Sequence, residues 1–171
     1  LNEYLSEMTN GVRPWGGYIN NFFGDAIVVI FGAPVDQPDK EWRAVAAALT
    51  MRERLAALNQ RRIQRGEPPI SNGIGISAGE AVAGQIGSLE RLMYTVIGDA
   101  VNVAARLEAL TRNYPDYPIL MNGLAARALE SRRDLTLKSL GPIQVKGRVE
   151  PVDVFAVVDW QNERPGSPPQ S

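Results

Sequence analysis

The chain has 171 residues, 44% hydrophobic and 22% charged, which fits one domain with a sizeable core and excludes an intrinsically disordered chain. Eighteen Lys and Arg against nineteen Asp and Glu leave a net charge of -1, so no electrostatic case arises for nucleic acid or for direct contact with an acidic membrane. Cysteine and histidine are both absent, which removes disulfides, thiol and Ser-His chemistry, and every metal site built on Cys or His. Any chemistry must therefore use carboxylates, amides, hydroxyls, Lys and Arg. No apolar run, 26–31 included, is long enough to span a bilayer and no signal-peptide pattern opens the chain, so a cytoplasmic domain is expected.

Leu1, Leu5, Met8 and Val12 fall at helical spacing until Gly16-Gly17 breaks the pattern. Because the chain opens on Leu1 within that pattern, further sequence is expected upstream. Two strand-like runs, 18–23 and 26–31, flank Gly24-Asp25, a pair suited to a type II′ hairpin turn. After the prolines at 34 and 38, Asp36 or Asp39 is placed to cap a long helix. Its apolar stripe runs Trp42, Val45, Leu49, Leu55, Leu58, and it ends near Gly66. Strands are expected at 74–77, 81–86 and 93–97, with a turn over 87–91, and Asp99 is placed to cap a helix reaching Leu110. A short strand at 118–121, a helix at 123–129 capped by Asn122, and strands at 135–140, 143–145 and 152–158 complete the order. Hairpins alternating with helices predict an α+β fold, a layer of helices over a mixed, largely antiparallel sheet. The proline-rich segment 161–171 is expected to be a disordered tail, leaving 1–160 as the domain.

Four places stand out chemically. Gly73, Gly75 and Gly79 superficially suggest a dinucleotide loop, but the spacing is G-x-G-x-x-x-G and no helix opens after Gly79; thin strands packed under a helix or a neighbouring chain explain them better. No P-loop sequence occurs. Asp25, at the tip of a tight hairpin, presents a rigid carboxylate open to a hard cation such as Mg²⁺, although a Gly-Asp turn alone is common. Asn102 and Arg106 lie at i and i+4 on one stripe of a mostly apolar helix. A guanidinium so placed needs an anion, and its planar fork suits phosphate or, alternatively, an internal carboxylate. Lys146, followed by Gly147, reads as a lysine at a loop tip, and Arg91 as a turn residue; solvated surface is the default for both.

In order, these segments resemble the class III nucleotidyl cyclase catalytic domain, over nearly the whole chain to about Val158. The stretches concerned are Asn21-Phe22-Phe23-Gly24-Asp25-Ala26 with Phe31-Gly32-Ala33-Pro34, Gly73-Ile74-Gly75-Ile76-Ser77-Ala78-Gly79 with Val82-Ala83-Gly84, the long run Tyr94-Thr95-Val96-Ile97-Gly98-Asp99-Ala100-Val101-Asn102-Val103-Ala104-Ala105-Arg106-Leu107, and Val145-Lys146-Gly147 before Glu150-Pro151-Val152. The resemblance implies a ferredoxin-like-derived sheet covered by helices and a homodimer with active sites at the subunit interface. It also implies conversion of a nucleoside triphosphate, ATP or GTP, to the 3′,5′-cyclic nucleotide and pyrophosphate with two Mg²⁺ or Mn²⁺ ions.

By the same resemblance Asp25 is one of two metal aspartates, Asn102 orients the ribose, Arg106 stabilises the transition state at the α-phosphate, Lys146 binds the phosphates, and Arg91 is a further phosphate contact. The reaction class agrees with the residues available, since in-line attack on phosphorus needs positioning, metal ions and cations rather than histidine or thiol. The other metal aspartate lies on a first strand that would precede Leu1; Glu3 and Glu7, in helical pattern, give no reason to stand in for it. At the base-reading positions, family adenylyl cyclases usually carry Lys where this chain has Asn21 and Asp or Thr where it has Thr95, whereas guanylyl cyclases usually carry Glu at the first. Thr95 thus favours ATP, and Asn21, which both donates and accepts, fits neither pattern. A catalytically silent cyclase-like module that binds nucleotide or dimerises is the alternative, a generic ferredoxin-like scaffold a third, and an upstream sensor or regulatory domain is a possible companion.

Overall fold

A computed structural model describes residues 1–88 and 91–160, with the backbone alone for residues 86, 88 and 91–95. The expected turn over 87–91 and tail at 161–171 fall partly and wholly outside the described residues. The chain divides into two compact units, Leu1–Ser71 and the described part of Asn72–Asn162.

The first unit carries α1 (Asn2–Val12), a 3₁₀ turn (Arg13–Trp15), the hairpin β1 (Tyr18–Phe23) and β2 (Ala26–Ile30), and α2 (Lys40–Gln64). The expected stripe of α2 is realised: Val45, Leu55 and Leu58 are buried, and the Ala46–Ala48 run is buried as well. Met8 of α1 packs on Leu55 and Leu58, with Tyr4, Met51, Ile70 and Ile27 of β2 closing around them. Gly11 allows this close helix pair, because a Cβ there would sit 3.0 Å from Met51 Cγ. Trp15 stacks edge-on against Trp42 at 6.4 Å and donates its indole N–H to Thr50 Oγ1 (3.0 Å), whose hydroxyl donates to the Ala46 carbonyl. The hairpin is thereby fixed to the helix pair through Ile27 on one cluster and Phe31 on the other.

Two cap expectations fail for the same electrostatic reason. Asp39 occupies the N-cap of α2, but its carboxylate accepts from Arg43 Nε (2.7 Å) instead of a helical N–H. Gly98, not Asp99, is the N-cap of α3, and the Asp99 carboxylate pairs with Arg148. A charged guanidinium within reach outcompetes a neutral amide as the donor. Asn122 does cap its helix as expected, accepting from Ala125 N–H at 3.2 Å, and the same amide side chain also bonds both backbone groups of Ala78.

The second unit contains β3 (Ile74–Ile76), β4 (Val82–Ser88), β5 (Arg91–Ile97), α3 (Asp99–Leu110), β6 (Ile119–Asn122), α4 (Gly123–Ala128), β7 (Leu135–Ile143) and β8 (Val152–Trp160). The strand pairs are antiparallel except β3 with β6, which agrees with the mixed, largely antiparallel expectation. Pairing is nevertheless spread over three sheets rather than one: the β1-β2 hairpin, the β4-β5 hairpin, and a four-stranded sheet of order β3-β6-β8-β7. In place of the two strands expected at 135–140 and 143–145 there is one strand, β7, which ends at Ile143 and leaves 144–145 outside it. A register irregularity between Ser139 and Gly141 absorbs the turn-like Gly141, whose φ is +79°, and Pro142 is tolerated because β7 lies at a sheet edge. Val103 and Leu107 of α3 pack on Leu120, Val152, Val154 and Ala156 of this sheet. No helix among the described residues is long and apolar enough to cross a membrane.

Candidate active site

Asp25 sits where the spacing put it. Phe23 pairs with Ala26, leaving Gly24-Asp25 as a two-residue turn, and Gly24 takes φ +62° at the first central position, as a type II′ turn requires. The carboxylate is exposed at the tip of a hairpin whose base is held by the helix pair. Asn21 lies on the same hairpin, opposite Val28. A β-bulge at Asn20, the extra residue between the Ile19–Val29 and Asn21–Val28 pairs, breaks the alternation and re-aims the rest of β1, a feature that the sequence does not announce. The Asn21 Oδ1 accepts the Phe22 backbone N–H at 2.8 Å. Since that donor is a backbone amide, the atom facing it must be the side-chain oxygen, and the two N–H donors of the Asn21 amide face away from this bond.

On α3, Val103 and Leu107 point into the core, and Asn102 and Arg106, one position earlier in the helical turn, form an exposed stripe beside it. The internal ion pair that would have explained Arg106 structurally is not found among the described residues. The glycines at 73 and 75 have the structural role expected of thin strands. A Cβ on Gly75 would fall 2.2 Å from the Ala104 carbonyl oxygen and 2.5 Å from the Glu108 nitrogen, and one on Gly73 would fall 1.8 Å from Thr111 Oγ1. Strand β3 therefore lies directly against the α3 backbone and sets its height above the sheet.

Lys146 is exposed in a turn closed by the Arg148 N–H on the Val145 carbonyl (3.2 Å), with Gly147 at φ +90°. Val145, immediately before it, is buried in the same cluster as Val103 and Leu107. Thus Asn102, Arg106 and Lys146 are all carried by one core. Asn21 and Asp25 are carried by one hairpin of the other unit. Thr95 and Arg91 lie in β5, opposite Gly84 and Ser88, and their side chains are outside the described residues.

Residues 1–158 match the family described as the adenylate and guanylate cyclase catalytic domain. The chain belongs to that family. Adenylate cyclase 1 of Rhizobium meliloti is 34% identical over 158 residues, which is 92% of this chain and 23% of that protein. Among solved structures, the adenylyl cyclase CyaB from P. aeruginosa superposes with a TM-score of 0.83 at 30% identity, covering 94% of this chain and 81% of that one. The guanylyl cyclase Cya2 does so at 0.81 and 35%, covering 94% and 79%. The cyclase catalytic domain described here spans about a quarter of the length of the curated relatives it matches.

The family uses divalent metal, and the donors can be tested against it. The Asp25 carboxylate is a hard oxygen donor on an open turn, a kind of donor that suits Mg²⁺ or Mn²⁺, ions commonly bound by one or two carboxylates together with substrate phosphates. Among the described residues no group of three or more acidic, His or Cys side chains gathers around a point. Glu7 pairs with Arg54 and Arg61, and Glu3 with Arg65, each at 3.0 Å, and the Arg65 guanidinium holds the Glu3 carboxyl below the usual range. Both acids serve the α1–α2 contact rather than a metal.

Proposed function

We propose that the domain is a catalytically active adenylyl cyclase, converting ATP to 3′,5′-cyclic AMP and pyrophosphate at the interface of a homodimer. The observation that carries this reading is α3: an exposed Asn102/Arg106 stripe, with no internal anion on the arginine among the described residues, standing on the same core as the exposed Lys146.

In the reaction the ribose 3′-hydroxyl gives up its proton to solvent and its oxygen forms a bond to the α-phosphorus as the bond from that phosphorus to the bridging oxygen of the leaving pyrophosphate breaks. Asn102 holds the ribose so that the 3′-oxygen lies in line. Arg106 donates to the non-bridging α-phosphate oxygens, where charge develops in the transition state, and Lys146 neutralises the departing pyrophosphate. Arg91 adds a phosphate contact. Asp25 would help to hold the two Mg²⁺ or Mn²⁺ ions that the family reading calls for, and when bound these would supply Lewis-acid charge at the phosphates and at the 3′-oxygen. ATP is favoured over GTP by Thr95. At Asn21 the Oδ1 accepts the Phe22 N–H and the two amide N–H donors face away from that bond, where they can serve a ring nitrogen of adenine as the lysine usual in adenylyl cyclases would.

Dimerisation is supported by large apolar residues left exposed in the single chain, Phe22 and Phe23 on one hairpin and Val82 and Ile97 on another. The reading entails a cytoplasmic domain, and the greater length of the relatives supports an accompanying regulatory domain. A silent module that binds without turnover is the second reading, favoured by the absence, among the described residues, of any group of three or more acidic side chains that could hold a metal ion. The full-length protein assayed with ATP and GTP, in Mg²⁺ and in Mn²⁺, is expected to yield cyclic AMP. Cyclic GMP as the preferred product would reassign the base, and tight binding of a nonhydrolysable triphosphate without any cyclic product would establish the silent module.

A further inference from the structure

Asp99 and Arg148 are 49 residues apart in sequence and form an ion pair between Arg148 Nη1 and Asp99 Oδ2. Asp99 is the first residue of α3, three before Asn102; Arg148 is two residues after Lys146. The segment joining β7 to β8 has Val145 buried at one end of the turn, then Lys146 and Gly147 exposed, then Arg148 partly buried. Gly147 gives this turn backbone freedom, and among the described residues two hydrogen bonds restrain it beyond the burial of Val145: the Arg148 backbone N–H to the Val145 carbonyl, and the Gln144 side-chain Nε2–H to the Arg148 carbonyl. Both are local to the turn. Neither bond reaches α3, which the segment otherwise meets through Val145, packed in one cluster with Val103 and Leu107. The Arg148 Nε is buried without an acceptor, so among the described residues the Nη1 contact to Asp99 is the guanidinium's one charged tether.

We propose that Asp99 and Arg148 are a positioning pair that locks the Lys146 turn to the first turn of α3, so that Lys146 and the Asn102/Arg106 stripe meet a triphosphate as one preset array. This rests on the cyclase reading for its consequence, though not for its geometry. The pair has a second effect of the same sign. An unpaired carboxylate in the first turn of α3 would repel an incoming polyphosphate, and Arg148 cancels that charge. Stability is not its main consequence: the Asp99 side chain is 64% exposed, and ion pairs so placed add little to folding.

The test uses Arg148→Ala, Asp99→Ala and the double variant in the full-length protein, each also placed in a Lys146→Ala background. Arg148→Ala is expected to lower kcat/KM by about tenfold, the lower end of what loss of an orienting partner costs. Asp99→Ala should do nearly the same, the double variant no worse than either single one, and neither change should cost more than about twofold once Lys146 is gone. Additive losses in the Lys146→Ala background would show that Arg148 acts on the nucleotide itself and overturn the proposal. Hydrogen exchange over residues 144–151, measured without nucleotide, reads the tether even if no cyclic product forms. Faster exchange in both single variants is expected, and wild-type exchange in both would refute the tether whatever the activity.

Discussion

Replacing Gly75 with Ala tests the seat of α3 most directly. The added Cβ would lie 2.2 Å from the Ala104 oxygen, 2.5 Å from the Glu108 nitrogen and 2.9 Å from Leu107 Cβ. Ala104 and Glu108 are an i, i+4 pair, so the methyl group would enter the backbone ladder of α3, where no side-chain rotation relieves it. Reaching an ordinary contact of 3.4 Å from 2.2 Å requires α3 and β3 to separate by on the order of 1 Å. Against this, alanine gains up to about 1 kcal/mol from the lower entropy of the unfolded chain. Overpacking a close backbone contact costs about 1–3 kcal/mol or more, so destabilisation wins. The melting temperature should fall by about 2–12 °C, at roughly 2–4 °C per kcal/mol for a protein of this size. A shift of that order moves Asn102 and Arg106 away from the sheet and from the Lys146 turn, and kcat should drop by about 100-fold. Gly84→Ala, with nothing within 4 Å of its Cβ, is the stability control and should stay within about 0.5 kcal/mol of wild type. A Gly75→Ala protein with wild-type melting and wild-type kcat would refute the packing of β3 beneath α3.

Arg106→Ala should lower kcat by about 10²–10³-fold while weakening ground-state nucleotide binding far less, because the contact proposed for it would strengthen as charge grows on the α-phosphate. Equal losses in kcat and affinity would mark it as a binding residue only. Asp25→Asn should abolish metal-dependent turnover with an unchanged circular dichroism spectrum, since an exposed turn accepts the isostere; retained activity at ordinary Mg²⁺ would remove Asp25 from the site. Mixing Asp25→Asn with Arg106→Ala chains should restore part of the activity if the two act from opposite subunits, and no recovery after proven subunit exchange would place the site within one chain. Asn21→Lys should raise, and Asn21→Glu lower, the ATP:GTP ratio of kcat/KM by about 1–3 kcal/mol, the scale of one buried hydrogen-bond mismatch. An unchanged ratio in both would show that Asn21 does not meet the base.

Much of this protein is determined locally and is therefore written in the sequence. The Gly24-Asp25 turn, the stripe of α2, the Asn122 cap and the i, i+4 placement of Asn102 and Arg106 come from short-range rules: a positive φ that glycine adopts freely, a 3.6-residue period, a side chain within reach of its own backbone. The ordered motifs around them carry the family. Other features depend on which distant groups meet, and no short-range rule contains them. Asp99 has the composition of a helix cap, yet its carboxylate goes to an arginine 49 residues away. Leu135–Ile143 carries Gly-Pro, which reads locally as a break, and remains one strand because its place at the sheet edge leaves room for an irregular register and for a residue without an N–H. The bulge at Asn20 and the fit of Gly75 beneath α3 are likewise decided by the partner strand and the partner helix. Sequence specifies the groups that do chemistry, but their height, aim and tethering come from long-range contacts, whose energies exist only once the chain has folded.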